Sequence, residues 1–339
     1  MRIAVDAMGG DQGLEVIARG AIEAATIRPG KLGIALVGDE EGIRSALDRI
    51  GAERTAVDII HAPEIISMSD PPAVAVRRKK NASIPVAVKL LKEGKVDAFV
   101  SAGNTGAVVA SSLMTLGRIH GVSRPAITTF MPNQGKGAVV LDVGANYECT
   151  PKHLFHFANM GTVFAEHHLG IDNPRVGILN IGEEPSKGNE LVREAYKILQ
   201  NANLNFIGNV EGRDVFSGAA DVVVCDGFVG NVALKLSESI ISFLTHVVKQ
   251  EIKKRYLAKI GAMFMKGAFS SVRSKLDYAE YGGAPLLGVN GVIIISHGKS
   301  SSRAIKNAIL VAERFVEQDV NKHIEKRFKG IVNDFAKVT

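Results

Sequence analysis

The sequence predicts a three-layer α/β/α fold with a mixed, mostly parallel sheet, because short β-branched runs alternate with helical runs along most of its 339 residues. A Pro-Asn-Gln-Gly turn at 132–135 joins two strand-like runs and predicts a hairpin, hence some antiparallel pairing. No linker or fixed-period repeat interrupts the pattern, so residues 1–339 are predicted to form a single α/β domain. The predicted strands are Arg2–Asp6, Leu32–Gly38, Val57–Ala62, Asp97–Ser101, Ala126–Phe130, Gly137–Asp142, Arg175–Asn180, Asn205–Gly208, Asp221–Asp226 and Val292–Ser296.

Helix starts are also legible. Ser69-Asp70-Pro71 and Thr150-Pro151 each combine a capping side chain with a proline in the first helical turn. Near the C-terminus, apolar residues at helical spacing predict a helix with one core-facing stripe. The stripe consists of Ile305, Ile309, Ala312, Val316 and Val320.

Gly- and Asn-containing loops follow five of the predicted strands, and most lead directly into a helix. A strand, a Gly turn and a helix start together expose backbone N–H groups that can bind an anion. Five such loops predict one large cleft along the sheet edge and a phosphate or phosphorylated substrate, although any single Gly can serve only a tight turn. The segments are Ile3–Asp11, Asp97–Ala110, Val139–Asn146, Gly177–Glu184 and Val222–Asn231.

Composition bounds the class of protein. The chain is 46% hydrophobic and 22% charged, which is ordinary for a globular protein. Its two cysteines form no disulfide framework and indicate a reducing compartment. Early acidic residues argue against a signal peptide, and no apolar run is long enough to predict a membrane span. The net charge of +6 favours an acidic partner or surface, or is simply that of a basic cytoplasmic protein; we expect no nucleic-acid partner.

A basic, apolar helical stretch interrupts the alternation. From Asn231 to about Val289 the pattern predicts helix without any strand, and we expect residues 236–280 to form a helical hairpin projecting from the α/β body. No acidic residue lies between Glu251 and Asp277. The cations of this stretch are Lys253, Lys254, Arg255, Lys259, Lys266, Arg273 and Lys275.

Two interpretations of this stretch stay open. Leu257, Ile260 and Phe264 fall on one helical face, and cations around such a face favour an anionic membrane surface. The alternative is a helical pair that closes a dimer, with the same apolar side chains packed against a second copy.

Taken together, the loops resemble those of the bacterial phosphate acyltransferase family, which makes acyl phosphate from fatty acyl-acyl carrier protein. The matching segments are Met1–Asp11, Val76–Ser83, Ser101–Ala107, Leu141–Asn146, Lys187–Glu190, Phe206–Glu211, Asp226–Asn231 and Tyr281–Ala284. They span nearly the whole chain in the family's order. Position 12 differs from the usual family pattern, because this chain has Gln12 where the family often has His.

The resemblance implies a fold like that of isocitrate and isopropylmalate dehydrogenases and of phosphate acetyltransferase. It also implies a catalytic domain, a homodimer, peripheral attachment to the cytoplasmic face of the cell membrane and a role in phospholipid synthesis. Its implied partners are acyl carrier protein, inorganic phosphate and a membrane glycerol-3-phosphate acyltransferase that receives the product. No cofactor is implied.

The predicted chemistry is attack of phosphate on a thioester, which needs no catalytic Ser or Cys because phosphate is itself a nucleophile. We predict Lys187 and Asn231 as catalytic residues, with His297 either protonating the thiolate or serving as a structural histidine. The remaining candidate phosphate- and substrate-binding residues are Asp6, Gly9, Gly10, Ser101, Gly103, Asn104, Thr105, Asp142, Asn146, Asp226 and Gly230.

The densest charge run is Arg77-Arg78-Lys79-Lys80. It is predicted to dock the acidic carrier protein or capture phosphate, although a solvated helix face is the usual role of such runs. His153 and His156 lie three residues apart, but no carboxylate or Cys completes a metal-ligand spacing, so we predict no metal site.

The sequence leaves two rival functions open. Gly9, Gly10 and Gly13 after the first strand, with Asp39 after the second, partly match a dinucleotide-binding fingerprint and suggest a nicotinamide-dependent dehydrogenase. Met8 stands at the first Gly position of that motif. A non-catalytic membrane scaffold would explain the basic stretch but not the five loops.

Overall fold

A computed structural model describes residues 1–53, 57–276 and 282–338, with side chains for all of these except 273–276 and 332–338. Within these residues the strands are β1 Arg2–Asp6, β2 Gly33–Gly38, β3 Asp58–His61, β4 Ala98–Ser101, β5 Ala126–Met131, β6 Ala138–Leu141, β7 Val176–Leu179, β8 Phe206–Val210, β9 Val222–Val224, β10 Ala284–Leu287 and β11 Val292–Ile295.

The helices of the described residues cover both faces of the sheet. They are α1 Leu14–Ile27, α2 Glu40–Arg49, α3 Pro72–Arg78, α4 Ser83–Lys92, α5 Thr105–Thr115, α6 Pro151–His168, α7 Glu190–Gln200, α8 Gly212–Ser217, α9 Gly227–Lys254, α10 Tyr256–Phe264, α11 Lys266–Leu276, α12 Ser302–Glu317 and α13 Val320–Val338.

All eleven strands form one sheet in the order β3-β2-β1-β4-β11-β10-β5-β6-β9-β7-β8. Strands β3, β2, β1, β4 and β11 are mutually parallel, and so are β6, β9, β7 and β8. The central strands β10 and β5 pair antiparallel with each other and with their outer neighbours. The predicted mixed, mostly parallel sheet and the hairpin between β5 and β6 are therefore confirmed.

The central antiparallel strands determine where the loops at the carboxyl ends of the parallel strands lie. Three antiparallel pairings in a row reverse the chain direction, so the two parallel blocks run in opposite senses. The carboxyl ends of β1–β4 and β11 form one edge of the sheet, here called the β1 edge. The carboxyl ends of β6–β9 form the opposite edge, here called the β9 edge.

Two apolar layers sandwich the sheet. On one face, alternate strand residues such as Ile3, Val5 and Leu141 pack with α1, α6, α7, α12 and α13. On the other face, Ala4, Phe99 and Val140 pack against α3, α4, α5 and α8. Alternation of side chains across each strand supplies both layers at once, as expected for a sheet buried on both faces.

Two local predictions were wrong. Strand β10 lies within the stretch predicted to contain only helix. It is four residues long and contains Pro285, so its sequence has no recognisable strand pattern. The C-terminal stripe belongs to two helices, because Asp319 adopts a positive φ of 49° between α12 and α13. Ile305, Ile309, Ala312 and Val320 are nevertheless buried as expected.

Helices α9 to α11 carry the predicted basic, apolar stretch. Helix α9 is long and apolar enough to cross a membrane by length and composition alone, and 11% of its apolar window is buried. Helix α10 buries none of its side chains. Of the predicted hairpin 236–280, residues 277–280 lie outside the described part of the chain, as does Tyr281, and the side chains of Arg273 and Lys275 are not described.

Candidate active site

The five Gly/Asn loops, which the sequence assigned to one cleft, follow strands of the two oppositely directed parallel blocks. The loops after β1 and β4 lie at the β1 edge. Those after β6, β7 and β9 lie together at the β9 edge. The reversal at β10 and β5 causes this separation, and Gly-rich loops alone carry no information about strand direction.

At the β1 edge, Asp6 and Ser101 form a closed hydrogen-bonded cluster. The Ser101 hydroxyl donates to Asp6 Oδ2 at 2.7 Å, and the Gly103 N–H donates to Ser101 Oγ at 3.0 Å. Burial raises the pKa of Asp6, against hydrogen bonds from Ser83, Ser101 and the Met8 backbone that lower it. A Cβ on Gly9 would lie 2.6 Å from the Gly103 nitrogen, so this glycine allows the two loops to touch.

Asn104 is also engaged within the protein. Its Oδ1 accepts the Ala107 N–H at 3.0 Å and caps α5. Its amide nitrogen lies within donating distance of three carbonyls, those of Ser67, Met68 and Asp70. The Asn104 side chain therefore holds the loop before α3 in place. The next residue, Thr105, lies in the first turn of α5 and is half-buried.

His297 belongs to the β1 edge as well. It is exposed after β11, and its Nδ1 accepts the Lys299 N–H at 3.0 Å. Gly10 lies nearby, since the Asp11 N–H donates to the Gly298 carbonyl at 2.6 Å. Burial raises the pKa of Glu238 in the middle of α9, and the charge of His297 lowers it, so His297 acts on this part of the helix.

His297 therefore faces α9 about two turns beyond Asn231. Both Asn231 and Glu238 lie on α9, and a helix rises about 1.5 Å per residue, which places them roughly 10 Å apart along its axis. The three predicted catalytic residues follow three different strands: His297 follows β11, Asn231 follows β9 and Lys187 follows β7.

At the β9 edge, the buried carboxylate of Asp142 organises the loop after β6. It accepts N–H groups from Ile127 at 3.0 Å, Gly144 at 3.2 Å, Ala145 at 3.0 Å and Asn146 at 2.7 Å. The Asn146 side chain donates to the same carboxylate at 2.9 Å. Burial raises the pKa of Asp142 more than the hydrogen bonds from Ala145 and Asn146 lower it. With its acceptor positions filled, Asp142 shapes the site rather than contacting an anion.

Helix α9 starts directly on this loop. A Cβ on Gly230 would lie 1.9 Å from the Asp142 carbonyl oxygen, and one on Gly227 would lie 2.7 Å from Asp142 Oδ2. Asp226 caps the helix by accepting the Phe228 and Val229 N–H groups, each at 3.0 Å. The glycines thus serve the close approach of the helix to the loop.

Asn231 is the free donor of this cluster. A Cβ on Gly144 would lie 3.4 Å from Asn231 Nδ2, so the amide stands over the bare Gly144 backbone. Asn231 is half-buried, and its side chain makes no hydrogen bond with the part of the chain that the structure describes.

Lys187 is the second free donor. It lies in the loop between β7 and α7, and its stem crosses Gly182, where a Cβ would be 3.1 Å from Lys187 Cγ. The residue is exposed, and its ammonium forms no ion pair with residues 1–53, 57–276 or 282–338. Strands β7 and β9 are neighbours, so Lys187 and Asn231 follow adjacent strands at one edge.

Two asparagines that sequence reasoning did not assign hold the Lys187 loop. Asn180 donates from Nδ2 to the Lys187 carbonyl at 3.1 Å and accepts the Ile181 N–H at 2.8 Å. Asn209 in β8, itself buried, donates to the Glu184 carbonyl at 2.7 Å. Their signal was present, because each is an Asn at or near the carboxyl end of a strand, where parallel neighbours converge.

The predicted docking run lies at the other edge. Lys79 is committed internally, since its ammonium donates to Asp70 at 2.6 Å and to the Ile65 carbonyl at 2.8 Å. Arg77, Arg78 and Lys80 are exposed. Arg77 and Arg78 lie in the last turn of α3 and Lys80 follows that helix, beside the β1 edge.

The partial dinucleotide fingerprint has another role. The Asp39 carboxylate accepts the Gly42 N–H at 2.9 Å and caps α2, so it is occupied. Met8 fills the space beside β2, because a Cβ on Gly38 would lie 2.7 Å from Met8 Sδ. Among the described residues, no group of three or more His, Cys, Asp or Glu side chains is placed to hold a metal ion.

The fold is a three-layer α/β/α fold, and its β9 edge carries two unengaged donor side chains. Among solved structures, a phosphotransacetylase from Streptococcus pyogenes matches with a TM-score of 0.59 and 20% identity over 94% of both chains. A branched-chain phosphotransacylase from Enterococcus faecalis V583 gives a TM-score of 0.59 and 13% identity over 93% of this chain and 99% of its own. At these identities the likeness establishes the fold alone.

Sequence comparison identifies the family. The model described as fatty acid synthesis protein matches residues 1–323. A phosphate acyltransferase of Heliobacterium modesticaldum is 53% identical over 98% of this chain and 99% of its own length. One of Pelotomaculum thermopropionicum is 52% identical, with 98% and 96% covered. The chain therefore belongs to the phosphate acyltransferase family and is an acyltransferase, as the resemblance predicted.

The cysteines yield a testable prediction. Burial raises the pKa of the Cys149 thiol to about 12, and burial raises that of Cys225 well above its ordinary value. Since only the thiolate is nucleophilic, we expect neither cysteine of the native protein to be alkylated by iodoacetamide at pH 8, and Cys149→Ala and Cys225→Ala to retain turnover. Mass spectrometry of labelled protein and steady-state rates test this. An acyl group trapped on either sulfur would contradict it.

Proposed function

We propose that this chain transfers the acyl group of fatty acyl-acyl carrier protein to inorganic phosphate, giving acyl phosphate and free carrier protein. The observation that supports this most is the pair Lys187 and Asn231, two unengaged donors after adjacent strands. They lie where α6, α7, α8 and α9 all begin, and helix N-termini favour anions. The relatives are named phosphate acyltransferases, which supports acyl transfer to phosphate.

In the proposed mechanism, Lys187 supplies positive charge to the phosphate. Asn231 and the backbone around Gly144 supply hydrogen bonds to the phosphate or to the carbonyl oxygen as it becomes an oxyanion. One oxygen of hydrogen phosphate attacks the thioester carbon, the new C–O bond forms and the C–S bond breaks. The proton carried by the phosphate neutralises the departing thiolate.

This route assigns no proton transfer to His297. That residue lies at the β1 edge, together with the engaged side chains of Asp6, Ser101 and Asn104. We propose that these residues maintain the β1 edge, and that phosphate binding by Gly9, Gly10, Gly103 and Thr105 is secondary to binding at the β9 edge. Asp142, Asn146, Asp226 and Gly230 shape the β9 edge, as the hydrogen bonds above support.

We further propose that the protein acts as a homodimer on the inner face of the cytoplasmic membrane. Helix α9 exposes large apolar side chains such as Leu236, Phe243 and Leu244, which a second copy would cover. Residues 236–280 would form the projecting insertion of a single catalytic domain. The lipid-like acyl phosphate would pass to a membrane glycerol-3-phosphate acyltransferase in phospholipid synthesis.

Activity measurements test the reaction. Thiol release from palmitoyl-acyl carrier protein should require phosphate and no nicotinamide. Asn231→Ala and Lys187→Ala should each lower turnover by on the order of a hundredfold, as for lost donors to a developing charge. Asn133→Ala, in the hairpin turn at the opposite edge, is the matched control for amide removal. Equal thiol release with and without phosphate would identify a thioesterase instead.

Liposome binding tests the membrane surface. Leu257, Ile260 and Phe264 on α10 are 82%, 39% and 88% exposed. Cations beside such a face are attracted to anionic lipid at about 1 kcal/mol each, decreasing with salt. Replacing the three residues with Ser should release the protein from vesicles containing phosphatidylglycerol and leave soluble turnover within about threefold. Dissociation to inactive monomers would instead assign α10 to a dimer core.

A further inference from the structure

Four basic side chains from two separate segments lie beside the β9 edge. Arg118 and Arg124 precede β5, while Lys152 and His153 lie in the first turn of α6. Arg118, Arg124 and Lys152 are exposed. Burial lowers the pKa of His153, and the charges of Arg124, Lys152 and Arg118 lower it further, so all three cations act on one ring.

This basic patch is part of a rigid frame. The His153 Nδ1 accepts the Thr150 N–H at 3.1 Å within the capping box of α6. The Arg118 guanidinium donates to the Ser123 carbonyl, and the Ser123 N–H donates to His156 at 3.0 Å. The cations are therefore presented by a fixed loop and a helix start rather than by a mobile tail.

The patch adjoins the candidate active site. Asn146, which belongs to the Asp142 loop, donates from its side chain to the carbonyl of Pro125 at 2.7 Å. Pro125 directly follows Arg124. Gly144 belongs to the same loop and lies beneath the side-chain amide of Asn231. A molecule bound on the patch therefore lies at the mouth of the site, on the same sheet edge as the free donors.

The positive charges of the patch favour an acidic binding partner. Arg124 makes no hydrogen bond or ion pair with the residues that the structure describes, so its guanidinium is available to an outside carboxylate. Three exposed cations around a site that takes a small anion and a thioester match an acidic surface, because opposite potentials steer association and fix the docking orientation.

We propose that Arg118, Arg124 and Lys152 form the docking surface for an acidic protein that delivers the acyl group as a thioester. The inference rests on the proposed function and replaces the run Arg77–Lys80, which lies at the opposite edge. The acidic partner binds across the start of α6, and its thioester reaches the β9 edge between the Asp142 and Lys187 loops.

Charge reversal tests the docking surface. In Arg118→Glu/Arg124→Glu/Lys152→Glu, the Kd for fluorescently labelled acyl carrier protein should rise by at least roughly tenfold at low salt, and the salt dependence seen in wild type should disappear. Arg19→Glu/Lys31→Glu/Lys92→Glu changes the net charge equally on other surfaces and should bind within about twofold of wild type. Melting temperatures of both variants confirm folding.

Two further arms separate this inference from the reaction itself. The ratio of kcat/KM on palmitoyl-acyl carrier protein to that on palmitoyl-pantetheine should fall about tenfold in the patch variant. Loss of binding confined to Arg77→Glu/Arg78→Glu/Lys80→Glu, or wild-type Kd in the patch variant, would overturn the proposal. Absence of phosphate-dependent thiol release from either donor would defeat the proposed function, while the binding experiment would still decide the docking surface.

Discussion

The buried carboxylate of Asp142 is the interaction on which the β9 edge depends. It gathers four backbone N–H groups and the Asn146 amide around one side chain and leaves its own oxygens no further role. The first turn of α9 rests on the same residue through two glycines without side chains. Five donors compensate for placing a carboxylate in a buried position, which is otherwise costly. Loop, helix start and Asn231 are thereby fixed relative to one another.

The polar side chains at the two edges of the sheet differ in whether they have hydrogen-bond partners. At the β1 edge, polar groups satisfy one another, as Asp6 with Ser101 and Asn104 with the loop before α3 illustrate. At the β9 edge, Asn231 and Lys187 keep donors free, while Asn180 and Asn209 hold the loop that carries the lysine. Engaged polar groups stabilise structure, and unengaged ones at helix N-termini are available to an anion.

Much of this could be predicted from sequence. Ten of the strands follow from β-branched runs, and the cap at Thr150 from its proline neighbour. Strand β10 could not be predicted, because four residues with a proline carry no period of two. Strand direction was equally hidden, because loops of similar composition follow strands of both parallel blocks. Whether an Asn side chain has a hydrogen-bond partner also depends on residues distant in sequence. The Asn104 amide donates to backbone carbonyls between residues 67 and 70, whereas the Asn231 amide lies over Gly144, which has no side chain.

The position of a bound anion tests the central claim most directly. In crystals soaked with phosphate, or with tungstate located by anomalous scattering, the oxyanion should lie at the β9 edge within hydrogen-bonding distance of Asn231 Nδ2 and Lys187 Nζ. Its occupancy should be lost in Asn231→Ala/Lys187→Ala. An anion bound instead at the β1 edge, against Gly10, Gly298 and His297, and unaffected by that double substitution, would contradict the account.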